Sequence, residues 1–229
     1  MRRSSVSLLA LAFAVAALGF SSGPEAEKPT GRLVFLAYGS ASGDVLWTMG
    51  ADGTGARRVT RSRVIAEVEP EWSPDGRRIA YSRSEWCPTE PFSVCNRIWT
   101  VNADGSDARR LIPRRVPGPL ANRAVSFHAP TWSPDGRRIV YQRWDDEGGD
   151  CCEVFVMNAD GSGQRKLTRR PGFDGGPAWS PGGGLIAFVS GGEDPVIYVM
   201  PADGSGRAQR VMRSPKLAEY ELDWGPEPG

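Results

Sequence analysis

Acidic residues stand at alternate positions before two tryptophans. Glu67, Glu69 and Glu71 precede Trp72, while Glu219, Glu221 and Asp223 precede Trp224 in the same register. Asp174 holds the first of these positions before Trp179, whereas Phe127, Thr131 and Ala178 interrupt the pattern elsewhere. Alternate residues of an extended chain share one face. If these segments converge, Glu69, Glu71, Asp174, Glu221 and Asp223 form an acidic rim. Such a rim suits a basic or amine-bearing segment and acts on association rate and salt sensitivity more than on affinity. The plain alternative is ordinary polar strand ends. His128, in SFHAPTW, is placed near the same mouth.

Catalytic chemistry finds less support. Serine hydrolysis needs a nucleophile on a strained turn beside a base. The chain has one histidine, His128, and beyond residue 23 no G-x-S-x-G, phosphate loop or dinucleotide glycine motif. Asn102, Asp104 and Asp107 resemble part of a calcium loop, but the remaining ligands and the distal glutamate are missing, and turn chemistry explains them. The sequence therefore calls for no metal and no cofactor. A net charge of +1 gives no global field for nucleic acid or an anionic membrane. Arginine pairs recur at fixed positions, among them 57/58, 77/78, 109/110 and 137/138, which suggests solvated repeat surfaces rather than one anion-binding patch.

Arg2 and Arg3 precede an apolar run at 6–20 and the small residues Ser21, Ser22 and Gly23. That is the layout of a secretory signal, and the run is too short to span a bilayer comfortably. We expect a signal at 1–23, a flexible leader at 24–30, an exported (periplasmic or extracellular) product and no membrane span after signal removal. Export favours disulfides. Cys87 and Cys95 flank a short loop and are the leading pair; adjacent Cys151 and Cys152 could form a vicinal bridge, stay reduced or pair elsewhere.

The elements that must position these residues are repeats. WSPDGRRIAY (72–81), WSPDGRRIVY (132–141) and WSPGGGLIAF (179–188) are three copies of one phrase. LWTMGADGTG (46–55), IWTVNADGSD (98–107), VFVMNADGSG (154–163) and IYVMPADGSG (197–206) are four copies of another, each followed by a short strand-like piece. Ser-Pro-Asp-Gly and Ala-Asp-Gly-Ser are tight turns, and the runs between them are β-branched and aromatic. One unit is thus strand a ending at the tryptophan, then strands b, c and d. The tryptophans at 72, 132, 179 and 224 are spaced at or somewhat above the roughly 40–45 residues of a four-stranded propeller blade. We expect an all-β propeller of about four four-stranded antiparallel blades spanning 31–229. GRLVFLAYG begins at strand b and YELDWGP ends at strand a, so the N- and C-terminal strands would pair to close the ring. An open arc, or two chains sharing a larger ring, is the alternative.

The phrases at 72–81, 98–105, 132–141, 154–161, 179–188 and 197–204 resemble the TolB-type β-propeller repeat family. The resemblance covers nearly all of the chain after residue 30. It implies an exported module that binds a protein or peptide of the cell envelope at one end of its ring, without catalysis. Similar repeats form the non-catalytic propeller of prolyl-oligopeptidase-type peptidases, so a propeller enzyme, a polysaccharide lyase or peptidase relative with a site at the channel mouth, is the alternative. The turns are nearly invariant among the copies, whereas the b–c loops (84–96, 145–153, 190–195) and the d–a segment at 112–130 vary. Variable loops on a rigid frame usually build sites, which places the partner on their face.

Overall fold

The computed structural model describes residues 30–39, 43–61, 65–89, 92–113, 124–145, 152–169, 172–191, 195–213 and 222–225. The expected signal at 1–23, most of the leader, Cys151 and Glu221 lie outside these residues. The described chain forms four antiparallel meanders in chain order. The first sheet holds β1 (Arg32–Gly39), β2 (Gly43–Gly50) and β3 (Arg57–Arg58). The second holds β4 (Glu67–Trp72), β5 (Arg78–Trp86), β6 (Val94–Asn102) and β7 (Arg109–Arg110). The third holds β8 (Val125–Trp132), β9 (Arg138–Asp145), β10 (Cys152–Asn158) and β11 (Arg165–Lys166). The fourth holds β12 (Asp174–Trp179), β13 (Leu185–Ser190), β14 (Val196–Pro201) and β15 (Gln209–Arg213). The expected all-β propeller class and the a-b-c-d unit are both found.

Turn chemistry sets the strand boundaries. In the a–b turn the Ser73 hydroxyl donates to Asp75 at 2.6 Å, and Asp75 accepts the Arg77 amide at 3.0 Å. Ser133, Asp135 and Arg137 repeat the arrangement. In the c–d turn Asp104 accepts both the amide and the hydroxyl of Ser106, as Asp160 does from Ser162 and Asp203 from Ser205. Of the residues that resembled part of a calcium loop, Asn102 and Asp104 both hold Ser106 in the turn, and Asp107 pairs with Arg78 of β5 at 3.1 Å.

Each sheet is apolar on both faces, so the core lies between sheets. Ile79 and Tyr81 of β5 pack back on Leu46 and Val59 of the first sheet, while Ala80 between them packs forward on the third. Ile139 and Tyr141 repeat the backward contact and Val140 the forward one; Ile186 and Phe188 repeat the backward contact again. Glycine closes the junctions at the rim. An added Cβ on Gly105 would stand 2.5 Å from the carbonyl oxygen of Val59, and one on Gly161 the same distance from that of Leu111. Their counterpart in the first sheet, Gly53, has nothing within 4 Å.

Arginines also bind the same junctions, where their recurrence had suggested only solvated repeat surfaces. Arg32 lies over the Trp72 ring at 4.4 Å and Arg138 over Trp179 at 4.7 Å, each reaching from one sheet to the first strand of the next. The expected Cys87–Cys95 disulfide is present, with the Cα atoms 5.1 Å apart, and holds the end of the β5–β6 hairpin. Beyond it Phe92 is 94% exposed. Cys152 is buried at the start of β10.

The first sheet differs from the others in having three strands. Leu222–Gly225, the described part of the expected closing strand, form no ladder. Leu33 of β1 is 45% exposed, whereas its counterparts Ile79, Ile139 and Ile186 are fully buried.

Candidate functional site

β4, β8 and β12 each break register before their tryptophan. The shifts fall between Val68 and Glu71, His128 and Thr131, and Gly175 and Ala178. At the break Glu69, Ala129 and Gly176 take φ of 54°, 47° and 55°, and Pro70, Pro130 and Pro177 follow them. A left-handed residue makes a bulge, and proline, which cannot donate to a ladder, is tolerated there. Glu69 and Ala129 lack glycine's freedom, so each costs about 1–3 kcal/mol that the surrounding structure must offset.

These three strands converge with Leu222, Asp223 and Trp224 around an axial cavity of about 660 Å³. Trp132, Trp179 and Trp224 and the bulge prolines supply apolar walls; Glu69, Glu71 and Asp223 supply charge. The lining runs from the bulges to Pro134 and Pro181 of the a–b turns and includes no described residue of the variable b–c loops. The cavity is therefore built by repeated scaffold positions.

The acids are not equivalent. Glu69 accepts the Ala129 amide at 2.8 Å and the Ser82 hydroxyl at 2.6 Å, and its other oxygen lies 3.6 Å from His128 Nδ1. Burial pushes its carboxyl up, but these partners together hold it below the ordinary glutamate range. Among the described residues Glu71 accepts only the Trp132 amide, at 2.9 Å. Burial pushes Glu71 up to about 8; the Trp132 amide opposes this, and the nearby charge of Asp223 adds to it. Glu69 thus serves to satisfy the bulge of the next strand, while Glu71 has carboxylate capacity left facing the cavity.

The remaining candidates are placed elsewhere. His128 is half-buried between Glu69, Asn96 (Nδ2 3.2 Å from its Nδ1) and the Trp144 ring, and does not line the cavity. Asp174 is fully buried at the start of β12, away from the lining. Its counterpart Glu67 is also fully buried, accepting the Leu46 amide at 3.2 Å and the Thr60 hydroxyl across the first junction. Among the described residues the acids therefore split: Glu67 and Asp174 go inward between sheets, while Glu69, Glu71 and Asp223 turn toward the axis. On spacing alone the cavity tryptophans mark only the ends of strand a. Their position at the end of every first strand, beside a proline-marked bulge, is the signal that also places them at the axis.

The raised Glu71 has a consequence for stability. An acid whose carboxyl is raised on folding binds more protons in the folded chain than in the unfolded one between its two values. Stability is then complete below the ordinary glutamate range near 4.5 and falls as pH rises toward about 8. Glu71→Gln keeps an acceptor for Trp132 and removes the titration. In urea titrations from pH 4.5 to 8.5, the variant should match the parent at the acid end and exceed it at the alkaline end, by on the order of a few kcal/mol. Parallel curves would exclude a desolvated Glu71.

Comparison with known proteins agrees with this architecture. The family described as TolB beta propeller domain matches residues 30–221. The Tol-Pal system protein TolB of Anaeromyxobacter dehalogenans (strain 2CP-C) is 34% identical over 148 residues, covering 65% of this chain and 29% of that protein. The uncharacterized peptidase YuxL of Bacillus subtilis (strain 168) is 30% identical over 131 residues, covering 57% of this chain and 18% of that one. The chain thus spans less than a third of either relative. A TolB-type structure from Agrobacterium tumefaciens superposes with a TM-score of 0.60 at 20% identity, covering 78% of this chain and 60% of that one. With its four meanders, its bulged first strands around a common axis and a family match running through all of them, the chain belongs to the TolB beta propeller domain family.

Proposed function

We propose that this protein is an exported, non-enzymatic binding module of the cell envelope that takes a basic or amine-bearing segment of a protein partner in its axial cavity. One observation carries the proposal: Glu71 faces a tryptophan-walled cavity beside Asp223, and among the described residues no cation pairs with its carboxyl. A guanidinium or ammonium entering there stabilises the ionised carboxyl and stacks on indole faces. Export is supported by the basic and apolar pattern of the first 23 residues. The absence of catalysis rests on the engagement of His128 with Glu69 and Asn96, away from the cavity lining.

The test is titration of acetyl-Gly-Arg-Gly-amide, followed by tryptophan fluorescence, against its neutral citrulline counterpart. Binding should depend on the guanidinium and strengthen as pH rises from 5.5 to 8.5, because proton and ligand compete for Glu71. Glu71→Gln should weaken it about tenfold at pH 8.5, equivalent to roughly 1.4 kcal/mol, and leave it nearly unchanged at pH 5.5. Equal binding of both peptides overturns the cationic site. Cleavage of longer arginine peptides by the purified chain, in the direction of its peptidase relative, overturns the non-enzymatic reading.

A further inference from the structure

We infer that the cleft between the third and fourth sheets, on the side of the c–d turns, is a binding site for a small carboxylic acid with an apolar or aromatic body. The cleft shares no lining residue with the axial cavity and is independent of it.

The cleft opens because the fourth c–d hairpin departs from the other three. Thr48 pairs with Arg57, Thr100 with Arg109 and Val156 with Arg165, but the corresponding Val199 pairs with Gln209. The last hairpin therefore carries one residue more. In the first three, the amides of Gly50, Asn102 and Asn158 close the turn on the carbonyls of Thr54, Ser106 and Ser162 at 2.8, 2.9 and 2.8 Å. Pro201 stands at that position in the fourth and has no amide to donate. The turn accordingly stands off from the third sheet. A Cβ on Gly105 or Gly161 would first meet a backbone carbonyl of the preceding sheet, whereas one on Gly204 would first meet the side chains of Arg165 and Leu167.

The opening is about 450 Å³, within the roughly 300–1,000 Å³ of small-molecule sites. Leu167, Phe188 and Met200 form its apolar floor, and Gly206, Arg207 and Ala208, the stretch that holds the extra residue, form one wall. Arg169, which follows β11, and Arg207 are both exposed, and among the described residues neither guanidinium is paired with an acid. The neighbouring Arg165 already donates to the Ala202 carbonyl at 3.3 Å. Asp203 is held in the turn by Ser205 and does not line the cleft. An apolar floor beside two unpaired guanidiniums suits a carboxylate that bonds to the guanidiniums while its body covers the floor.

The same positions between the first and second sheets have a different character. Tyr81 stands there in place of Phe188, and Glu67 and Asp104 join the arginines of the lining. Glu67 already pairs with Arg83 at 3.9 Å. Acids in that slot compete for the guanidiniums an anion would need, whereas no acid lines the later cleft among the described residues.

The experiment titrates the full chain with 3-phenylpropionate, its neutral amide and acetate, and follows the backbone amides of Gly204, Ser205, Gly206 and Arg207 by NMR. We expect saturable shifts with 3-phenylpropionate. Binding should be about tenfold weaker or worse for the neutral amide, which lacks the charge, and for acetate, which lacks the body. Arg169→Gln and Arg207→Gln, both at exposed positions, should each weaken it by about the same factor. Deleting Arg207 restores the hairpin spacing of the other three sheets, so the chain should stay folded and the shifts should vanish. Equal binding of the neutral amide or of acetate overturns the inference, as does full binding by both glutamine variants. It is equally wrong if the folded deletion variant binds like the parent, if no saturable shift appears by about 10 mM ligand, or if shifts appear only at Trp132 and Trp179 of the axial cavity.

Discussion

Gly161→Ala lowers the unfolding free energy by about 3 kcal/mol or more, while Gly53→Ala at the same turn position of the first sheet costs about 1 kcal/mol. Both glycines have positive φ, 90° and 81°, so both variants bear the left-handed penalty. They differ in surroundings. A Cβ on Gly161 meets the Leu111 carbonyl at 2.5 Å, and that oxygen belongs to backbone that moves only by shifting one sheet away from the next. A Cβ on Gly53 meets nothing within 4 Å. Denaturant unfolding of the two variants measures the difference. Equal losses would show that the turn glycines serve conformation alone and that the sheet junctions are looser than described.

The second large effect is at Trp179. Trp179→Ala should cost roughly 3–5 kcal/mol, the usual range for deleting a buried aromatic. The ring is 5% exposed, its nitrogen satisfies the Thr131 carbonyl, and Arg138 covers its face. Its removal leaves a cavity, an unmet carbonyl and an uncovered cation together. Trp72→Ala should cost less, because Trp72 is half-buried and its nitrogen has no acceptor to lose. Calorimetric unfolding of both variants checks the order, and a larger loss at Trp72 would contradict the junction geometry.

Most of the frame was legible in the residues, because turns and strands of this size are specified locally. Ser-Pro-Asp-Gly and Ala-Asp-Gly-Ser placed the reversals, and the β-branched runs between them placed the strands. The alternating acids pointed to the axis, but alternation assigns a face only while pleating is regular. The bulges at Glu69, Ala129 and Gly176 break that regularity, so Asp174 and Glu67 turn inward between sheets while Glu69 and Glu71 turn toward the axis. Which acid keeps capacity for a ligand depends on the amides of the neighbouring strand, Ala129 and Trp132, sixty or so residues away. No local pattern carries that information. The placement of His128 beside Asn96 and Trp144 depends in the same way on the register of β8 against the second sheet.

The outermost strands bear on how molecules of this protein behave when concentrated. β3, β7 and β11 are two residues long, and all six of those residues are arginine or lysine. A free sheet edge is a template for a neighbouring molecule, and brevity and like charge both blunt it. Three sides of the molecule therefore repel their own kind. The fourth, β15, is five residues long and presents Val211 at 64% exposure. Colloidal stability is thus uneven around the circumference, and a single lysine at position 211 would extend the protection of the other three rims to the whole perimeter.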